Sequence, residues 1–481
     1  MTLSLAALTW LQAPEYWLSR LVISRGLGAV YLIAFLVALN QFPALLGERG
    51  LLPAPEFIRQ IPFGRTPSLF YLRYSDALIR AVSMVGIVLS AAIVVGLLEM
   101  APVIVWMLVW SVLWILYLSI VNIGQIFYGF GWESLLLEAG FLAIFLGPAT
   151  IAPPIVVIWM FRWLLFRVEF GAGLIKLRGD PCWRDLTCLN YHHETQPMPN
   201  PLSWFFHHLP RPLHKVEVAG NHVAQLIAPI GLVFPQPVSD IAGLVIVVTQ
   251  LYLVLSGNFS WLNWITMLCA VSAFDNKALG LVLPVHPPTL AAQPLWFQAV
   301  LIALALLILV LSYAPARNLL SRQQLMNFSF NPLHLVNAYG AFGSITRVRY
   351  EIVVEGTAAS ALGPATAWKE YEFKGKPTDL RRLPPQIAPY HLRLDWLMWF
   401  AAMSSPAHHT WFVPLLIKLL ENDRATLKLI KHNPFPDEAP AFIRARLYRY
   451  RFSTFQEFRT TRQWWMRQLV GDYLAPVRLR S

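Results

Sequence analysis

The residues of this sequence that are best suited to catalysis or ligand binding lie between positions 162 and 210. A helix with charged residues is followed there, after a break at Pro181, by a loop that is richer in thiol, imidazole and carboxylate groups than the rest of the chain. We predict that the functional loop consists of Asp180, Pro181, Cys182, Trp183, Cys188, His192, His193 and Glu194. Such a concentration of reactive side chains indicates either a functional site or a clamp that fixes the chain.

The cysteines allow two kinds of chemistry. The chain has 3 Cys, and Cys269 lies inside an apolar run, where we expect it to pack against its neighbours. Cys182 and Cys188 enclose a short polar turn that either forms a disulfide in an oxidising compartment or carries two free thiols. The sequence leaves both alternatives open.

Metal binding is a further possibility for this loop, because cysteine and histidine are the usual ligands of tetrahedral zinc. The spacing of Cys182, Cys188, His192 and His193 matches no standard zinc site, and the prolines that follow indicate a rigid surface loop. No phosphate-binding loop, nucleophile elbow or pair of catalytic acids stands out in the sequence. We therefore predict no metal site and no cofactor, and the residue patterns alone assign no function to this loop.

Charged residues also occur within the apolar part of the chain, where charge is costly unless it is paired. These intramembrane polar residues are Glu133, Glu138, Arg162, Arg167 and Glu169. Arg162 and Glu169 are seven residues apart, which places them on nearly the same helix face and predicts a salt bridge. A buried network of ion pairs that fixes helix packing is favoured over a proton relay.

The composition is that of a membrane protein. The mean hydropathy is +0.51, and 56% of the 481 residues are hydrophobic while 13% are charged, about half the charged share of a soluble protein. From residue 317 onward the chain has 23 Lys and Arg against 12 Asp and Glu, whereas the part before it is nearly neutral. No nucleic-acid-binding motif accompanies this basic tail, so we expect it to contact anionic lipid or to present a solvated surface, without a nucleic acid partner.

The chain divides into three predicted regions. Residues 1–26 indicate an interfacial N-terminal segment, and no signal peptide is predicted because no Lys or Arg precedes Arg20. Residues 27–316 indicate a helical membrane domain with several spans and a central polar loop at residues 171–215. Its nine predicted spans are residues 27–46, 77–98, 103–121, 135–146, 155–166, 223–234, 241–255, 261–274 and 297–311.

Residues 317–481 are predicted to form a basic extramembrane domain rich in β-strands. Apolar and charged residues alternate across residues 345–354, a pattern typical of a strand. Further predicted strands are residues 368–373 and 447–452, and predicted helices are residues 392–403 and 413–420. The predicted fold class is a polytopic α-helical membrane protein with a C-terminal extramembrane mixed β/α domain.

The central loop resembles that of the lipase maturation factor family, in the segment GDPCWRDLTCLNYHHETQPMPNPLSWFFHHLP. The resemblance continues in FYGFGWESLLLEAGF (residues 127–141), NAYGAFGSITRVRYEIVVEG (residues 337–356) and PYHLRLDWLMWFAAM (residues 389–403). It implies a multi-pass membrane protein that acts like a chaperone and helps a secreted client, such as a lipase, to fold or assemble. It also implies localisation in the endoplasmic reticulum for a eukaryotic chain, or in the inner or plasma membrane for a bacterial one.

The charge distribution and the family resemblance imply opposite sides of the membrane for the central loop. With nine spans, the central loop and the tail lie on the same side of the membrane, and their positive charge favours the cytoplasm. The family resemblance implies the lumen, or the outside of a bacterial cell. We favour the extracytoplasmic side.

A second, local resemblance concerns Lys176. The segment AGLIKLRGD is similar to the region of the vitamin K-dependent gamma-carboxylases in which a Lys-Leu-Asp motif supplies the catalytic base, although Arg178 stands where an acid is expected. This resemblance implies an alternative function, an integral-membrane enzyme of carboxylase type with Lys176 as base and a cavity bounded by Lys176, Glu138 and Arg167. The structural alternative is a lysine that extends from a helix end to the water interface.

For a maturation factor, exposed aromatic side chains would supply a binding surface for the client protein. The residues predicted for this surface are Trp183, Tyr191, Trp204, Trp368, Trp396 and Trp411. Aromatic residues are also common at membrane interfaces, so the same set fits contact with membrane lipid.

Overall fold

The structure is a computed structural model that describes residues 5–479. Residues 1–4, which begin the predicted interfacial segment, and residues 480–481 lie outside the described part. Two 3-10 helices, Leu5–Leu11 and Pro14–Tyr16, lead into the first long helix.

The first part of the membrane domain consists of six α-helices. They are α1 (Trp17–Leu46), α2 (Ala54–Gln60), α3 (Asp76–Val94), α4 (Val103–Asn122), α5 (Gly131–Ala143) and α6 (Ile155–Arg178). Two 3-10 turns, Leu69–Tyr71 and Gln125–Tyr128, precede α3 and α5. Helices α5 and α6 form a hairpin, because the left-handed turn at Gly147 (φ 74°) and the prolines before α6 reverse the chain.

The central segment and the remaining membrane helices are more broken. The central segment holds α7 (Pro181–Arg184), α8 (Leu189–Thr195), α9 (Ser203–His207) and α10 (Arg211–His222). After a π-helical turn, Val223–Ile227, come α11 (Ala228–Gly231), α12 (Val238–Ser256), α13 (Leu262–Val271), α14 (Asn276–Leu279), α15 (Leu295–Leu311) and α16 (Tyr313–Leu320). The predicted boundary at residue 316 therefore lies within α16.

Five helices in the described part of the chain are long and apolar enough to cross a membrane. They are Pro14–Leu46, Asp76–Val94, Val103–Asn122, Val238–Ser256 and Leu295–Leu320. By these criteria of length and hydropathy, the predicted number of nine spans is too high. Helices α5 and α13 are too short, with 13 and 10 residues, and the run at residues 223–234 is divided into two elements. Helix α6 is long enough but contains too many charged residues. Short apolar helices of this kind are apolar because other helices bury them. The predicted polytopic helical architecture itself is confirmed.

The predicted boundary at residue 26 lies within α1, whose N-terminal part is buried against the rest of the protein. Trp17, Leu18 and Ser19 are buried, and Arg20 is fully enclosed. Its guanidinium group lies 3.2 Å from Glu99 Oε2 and donates to the carbonyl of Gly147 at 3.2 Å. Arg20 thus contacts neighbouring loops, and the helix continues past the predicted boundary at residue 26.

The C-terminal domain, as far as residue 479, contains eight strands and four α-helices. The strands are β1 (Phe328–Ser329), β2 (Asn337–Ala338), β3 (Arg349–Thr357), β4 (Lys369–Glu370), β5 (Glu372–Phe373), β6 (Ile430–His432), β7 (Phe442–Phe452) and β8 (Trp465–Val477). The helices are α17 (Arg393–Ala401), α18 (Phe412–Leu420), α19 (Arg424–Leu427) and α20 (Phe455–Thr461), with a 3-10 turn at Pro406–His408. Each predicted strand and helix of this domain overlaps an element in these sets, although β3 begins only at Arg349 and the predicted strand at residues 368–373 is divided into β4 and β5.

The main sheet is antiparallel, with strand order β4-β3-β7-β8. Strand β3 pairs with β7 along its whole length, from Arg349 opposite Tyr450 to Thr357 opposite Phe442. Nearly every residue of β3 is buried, because α17 packs against it and the central segment also contacts it. The sheet therefore holds the central segment in place.

Candidate functional site: the central segment and its cavity

The predicted loop begins later than expected, because α6 continues to Arg178 and includes residues 171–178. Gly171 and Gly173 allow this part of α6 to approach its neighbours closely. A Cβ atom at Gly171 would collide with the carbonyl oxygen of Tyr339, and one at Gly173 would meet the side chain of Leu226. The helix then ends at Gly179, and Asp180 caps α7 by accepting a hydrogen bond from the Cys182 amide at 3.0 Å.

Cys182 and Cys188 form a disulfide, which selects one of the two alternatives that the sequence left open. Both cysteines are buried in a small apolar cluster with Trp183, Leu189 and Val218. The Trp183 indole donates to the carbonyl of Phe342 at 2.8 Å. The thiols are therefore committed to holding the first turn of the segment against the C-terminal domain.

An ion pair also fixes this first turn. Arg347 Nη2 lies 2.7 Å from Asp180 Oδ1, and its Nη1 lies 2.8 Å from Oδ2. The hydrogen bonds from Arg347 lower the pKa of Asp180 to about 2. Two parallel bonds of this kind define the orientation of both groups.

We expect acid to weaken this contact in a defined pH range. A carboxylate whose pKa is lowered from about 3.9 by folding contributes stability that is complete above about pH 4 and is lost as the pH falls through about 2. Because the Arg347 side chain is 43% exposed, solvent limits the contribution to less than about 1 kcal/mol. In melting experiments from about pH 5 to pH 2, the wild type should lose more stability than Asp180→Asn, and identical curves for the two proteins would contradict this.

His192 and His193 are buried side chains of α8. The ring of His192 stacks on Phe259 and meets Phe342 edge-on, and burial lowers the pKa of His192 to about 3. Neither ring nitrogen of His193 has a hydrogen-bond partner among the described residues. Both imidazoles are thus apart from bulk water, contrary to the predicted surface loop.

Glu194 connects α8 to the main sheet. Its Oε2 accepts the Phe452 amide at 2.7 Å, and its backbone carbonyl accepts Arg349 Nη1 at 3.0 Å. Arg349 also donates to the carbonyls of Gln196 at 2.5 Å and Pro197 at 3.3 Å. The guanidinium group therefore binds three backbone carbonyls at the end of α8 and just after it.

Arg349 is a site residue that the sequence patterns did not reveal. The alternating pattern placed it on the polar side of β3, yet it is buried together with Glu351, which lies 2.5 Å from Arg349 Nη2 and also pairs with Lys376. The available signal was the succession of Arg349 and Glu351 in a strand that is otherwise apolar. Charges at alternate positions of a strand share one face, which fits a buried pair as well as a solvated surface.

A cavity of about 1410 Å³ lies beside the central segment. Its wall is mostly apolar, and its buried polar residues include Glu169, Lys176, Gln225, Gln250 and Asn263. Leu244 and Val248 of α12, a candidate span, line the cavity and are exposed. A large apolar cavity with a few convergent polar groups is typical of a binding site, and one wall of this cavity belongs to a candidate membrane span.

Lys176 is buried at the wall of this cavity, so the interpretation that its side chain extends to the water interface is wrong. Its ammonium group donates to Gln225 Oε1 at 2.7 Å and lies 4.9 Å from the centre of the Trp183 ring. The cavity predicted for the carboxylase-like alternative is present at Lys176, but Glu138 and Arg167 do not line it. They form a separate site.

The predicted salt bridge between Arg162 and Glu169 does not form. Arg162 donates to the carbonyls of Ser272 at 3.0 Å and Leu232 at 3.1 Å and to the Tyr16 hydroxyl at 3.0 Å. Glu169 accepts from Gln250 Nε2 at 2.7 Å. Both charged groups use neutral partners from distant parts of the chain, which helix periodicity does not reveal.

The other residues that were predicted to be intramembrane charges are all paired. Arg167 binds Glu138 through both terminal nitrogens, and Glu138 Oε2 also accepts from the Asn337 amide at 3.0 Å and the Tyr339 hydroxyl at 2.8 Å. Glu133 lies 2.7 Å from Arg393 Nη1 and accepts from Tyr117. Helices α5 and α6 are thereby joined to the C-terminal domain through buried charges.

The aromatic residues predicted for an exposed binding surface are not exposed. Trp183, Trp204, Trp396 and Trp411 are buried, and Tyr191 and Trp368 are half-buried. The Trp204 indole donates to the carbonyl of Ser453 at 2.9 Å, which joins α9 to the end of β7. These rings hold the central segment and the C-terminal domain together instead of offering a free surface.

Comparison with known proteins agrees with this architecture. The chain matches the lipase maturation factor transmembrane domain over residues 18–281 and the lipase maturation factor C-terminal domain over residues 335–475. Lipase maturation factor 1 of Bos taurus is 42% identical over 97% of this chain and 90% of the relative. For lipase maturation factor 1 of Homo sapiens these values are 40%, 98% and 90%, and for lipase maturation factor 2 of Homo sapiens 27%, 96% and 83%.

No solved structure matches the chain significantly. The domain matches cover both the membrane domain and the C-terminal domain, and the relatives align with nearly the full chain. This chain belongs to the lipase maturation factor family.

Proposed function

We propose that this protein is a membrane-embedded maturation factor that helps a secreted lipase to reach its active form. The observation that carries the proposal is the alignment of nearly the whole chain, 97% of it, with a protein named lipase maturation factor 1. In this proposal residues 27–316 hold the protein in the membrane, and residues 317–481 close over the central segment. The functional residues are those of the central segment and its supports.

The geometry supports a binding scaffold more than a flexible loop. The disulfide, the Asp180 to Arg347 pair and the Arg349 contacts fix the central segment at three places. A preorganised surface costs less conformational entropy on binding than a mobile one. A rigid central segment therefore suits a protein that must hold a partly folded client.

The proposal is tested in cells whose own lipase maturation factors have been deleted. Expression of this chain should raise the activity of a secreted lipase per unit of lipase protein. An empty vector and a soluble secreted reporter enzyme are the controls. Unchanged lipase activity, with the chain present in the membrane at normal amount, would contradict a lipase client.

We further propose that the central segment faces the lumen of the endoplasmic reticulum, or the outside of a bacterial cell. Disulfides persist in oxidising compartments and are rare in the cytosol. The disulfide between Cys182 and Cys188 thus favours the lumenal side over the side that the positive-inside rule favours.

Sidedness can be measured with an impermeant maleimide on sealed microsomes from cells expressing Cys269→Ser, in which only Cys182 and Cys188 remain. We expect no labelling in sealed vesicles, even with an impermeant reductant, and labelling once detergent and reductant are both added. Labelling of sealed vesicles without reductant would place the segment in the cytosol and overturn the proposal.

A further inference from the structure

Three potential metal ligands meet beside the cavity. They are His193 of α8 and His214 and Glu217 of α10, and one ligand atom from each lies within 4.8 Å of the other two. His214 Nδ1 is 2.8 Å from Glu217 Oε2, and His193 Nε2 is 3.9 Å from the same oxygen. Two imidazoles and one carboxylate are a common ligand set of zinc sites that keep a position open.

The way the chain presents these groups fits a metal site. His214 and Glu217 are three residues apart, so they lie one helical turn apart on one face of α10. Helices in bundles use this same spacing of a carboxylate and a histidine to bind metal ions in their cores. The third group, His193, comes from α8, which packs against α10.

His193 supplies an independent observation. It is 1% exposed, and neither of its ring nitrogens has a hydrogen-bond partner among the described residues. Buried polar groups without partners are rare, because each has lost the hydrogen bonds that it would make with water. The nearest carboxylate oxygen, at 3.9 Å, is too far for a hydrogen bond but suits an ion placed between the two groups.

The distances require only small side-chain movements. Ligand atoms bound at about 2.1 Å in a tetrahedral site lie about 3.4 Å apart. The shortest separation, 2.8 Å, would open by about 0.6 Å, and the longest, 4.8 Å at most, would close by about 1.4 Å. Rotation of the imidazole and carboxylate groups supplies movements of this size.

We propose that His193, His214 and Glu217 bind one divalent transition-metal ion of the zinc class. The Tyr252 hydroxyl donates to Glu217 Oε1 at 2.8 Å and acts as a positioning residue that orients the carboxylate. His193, Glu217 and Tyr252 line the cavity, so the fourth coordination position faces it. The prediction of no metal site concerned Cys182, Cys188, His192 and His193, and only His193 belongs to both sets.

The test uses the full-length protein, purified in detergent, stripped with a chelator and titrated with Zn²⁺ or Co²⁺ alone. We expect about one zinc ion per chain and, with Co²⁺, the strong visible absorption of a four- or five-coordinate site with nitrogen ligands. Tyr252→Phe should lower the affinity by about 10- to 100-fold. His193→Asn and Glu217→Gln should lower it by at least about 100-fold, because each removes a ligand.

The matched control is His208→Gln, which also removes an imidazole from the central segment but leaves the three ligands in place. It should bind zinc like the wild type. Melting temperatures without metal report whether each variant is folded. If a ligand variant is not folded, the Co²⁺ spectrum of the wild type still tests the proposal. Less than about one-tenth of an ion per wild-type chain, a Co²⁺ spectrum like that of the aqueous ion, or equal affinity in the wild type and folded His193→Asn would overturn the proposal.

Discussion

Glu138→Ala is expected to destabilise the protein by about 3–5 kcal/mol, because it leaves the buried Arg167 charge without its carboxylate. Both side chains are almost fully enclosed. The substitution also removes the acceptor of Asn337 and Tyr339. We expect a large fall in melting temperature in detergent and a low yield of folded protein.

Two controls separate the buried charge from a general effect of substitution. Glu138→Leu combined with Arg167→Met removes both charges and should be less damaging than either single change. Glu372→Ala breaks a partly exposed pair with Lys431 and should change stability by less than about 0.5 kcal/mol. A double variant that is as unstable as the sum of its single changes would show that the ion pair is not the cause.

Arg349→Ala is expected to free the central segment from the C-terminal domain and to abolish most lipase maturation, while the protein stays in the membrane. Hydrogen bonds to a charged donor contribute about 1.5–3 kcal/mol each, and Arg349 donates to three carbonyls of the segment. The membrane helices do not depend on these bonds. Secreted lipase activity, measured at matched membrane expression, reports the loss of function.

Release of the segment can be measured separately by proteolysis, because Arg184 is exposed and lies between the two cysteines. Limited trypsin digestion should cut after Arg184 faster in Arg349→Ala than in the wild type. Arg349→Lys should be partly defective, because an ammonium group lacks the planar fork that reaches several acceptors. Arg446→Ala, which breaks an exposed pair with Asp472 on the same sheet, is the matched control and should behave like the wild type. Normal lipase activity in Arg349→Ala would show that the contacts of Arg349 with the central segment are not required for lipase maturation.

Elements that have a long apolar run or a regular alternation of apolar and charged residues were predictable from the sequence. The long apolar runs became helices α1, α3, α4, α12 and α15, and the alternating run became β3. The number of spans was less predictable, because α5 and α13 are apolar for another reason. Hydropathy measures transfer out of water and does not distinguish a helix buried by lipid from one buried by protein.

The partners of the site residues could not be predicted in this way. Arg162 and Glu169 share a helix face, yet Arg162 binds a carbonyl 110 residues away. Trp204 lies in a short helix and Trp411 directly before one, and neither helix has a pattern long enough to show which face is buried. The residue types identified the central segment, but tertiary contacts determined which side chain each residue meets.

The distance along the chain between the central segment and the sheet that holds it has a consequence for synthesis. Glu194 leaves the ribosome 258 residues before Phe452, whose amide its carboxylate accepts. At about 5–20 residues per second, the segment waits about 13 to 50 s for that partner. For this interval its buried aromatic rings and unpaired carbonyls are open to other chains, so the maturation factor itself needs the protection of general chaperones while it is being made.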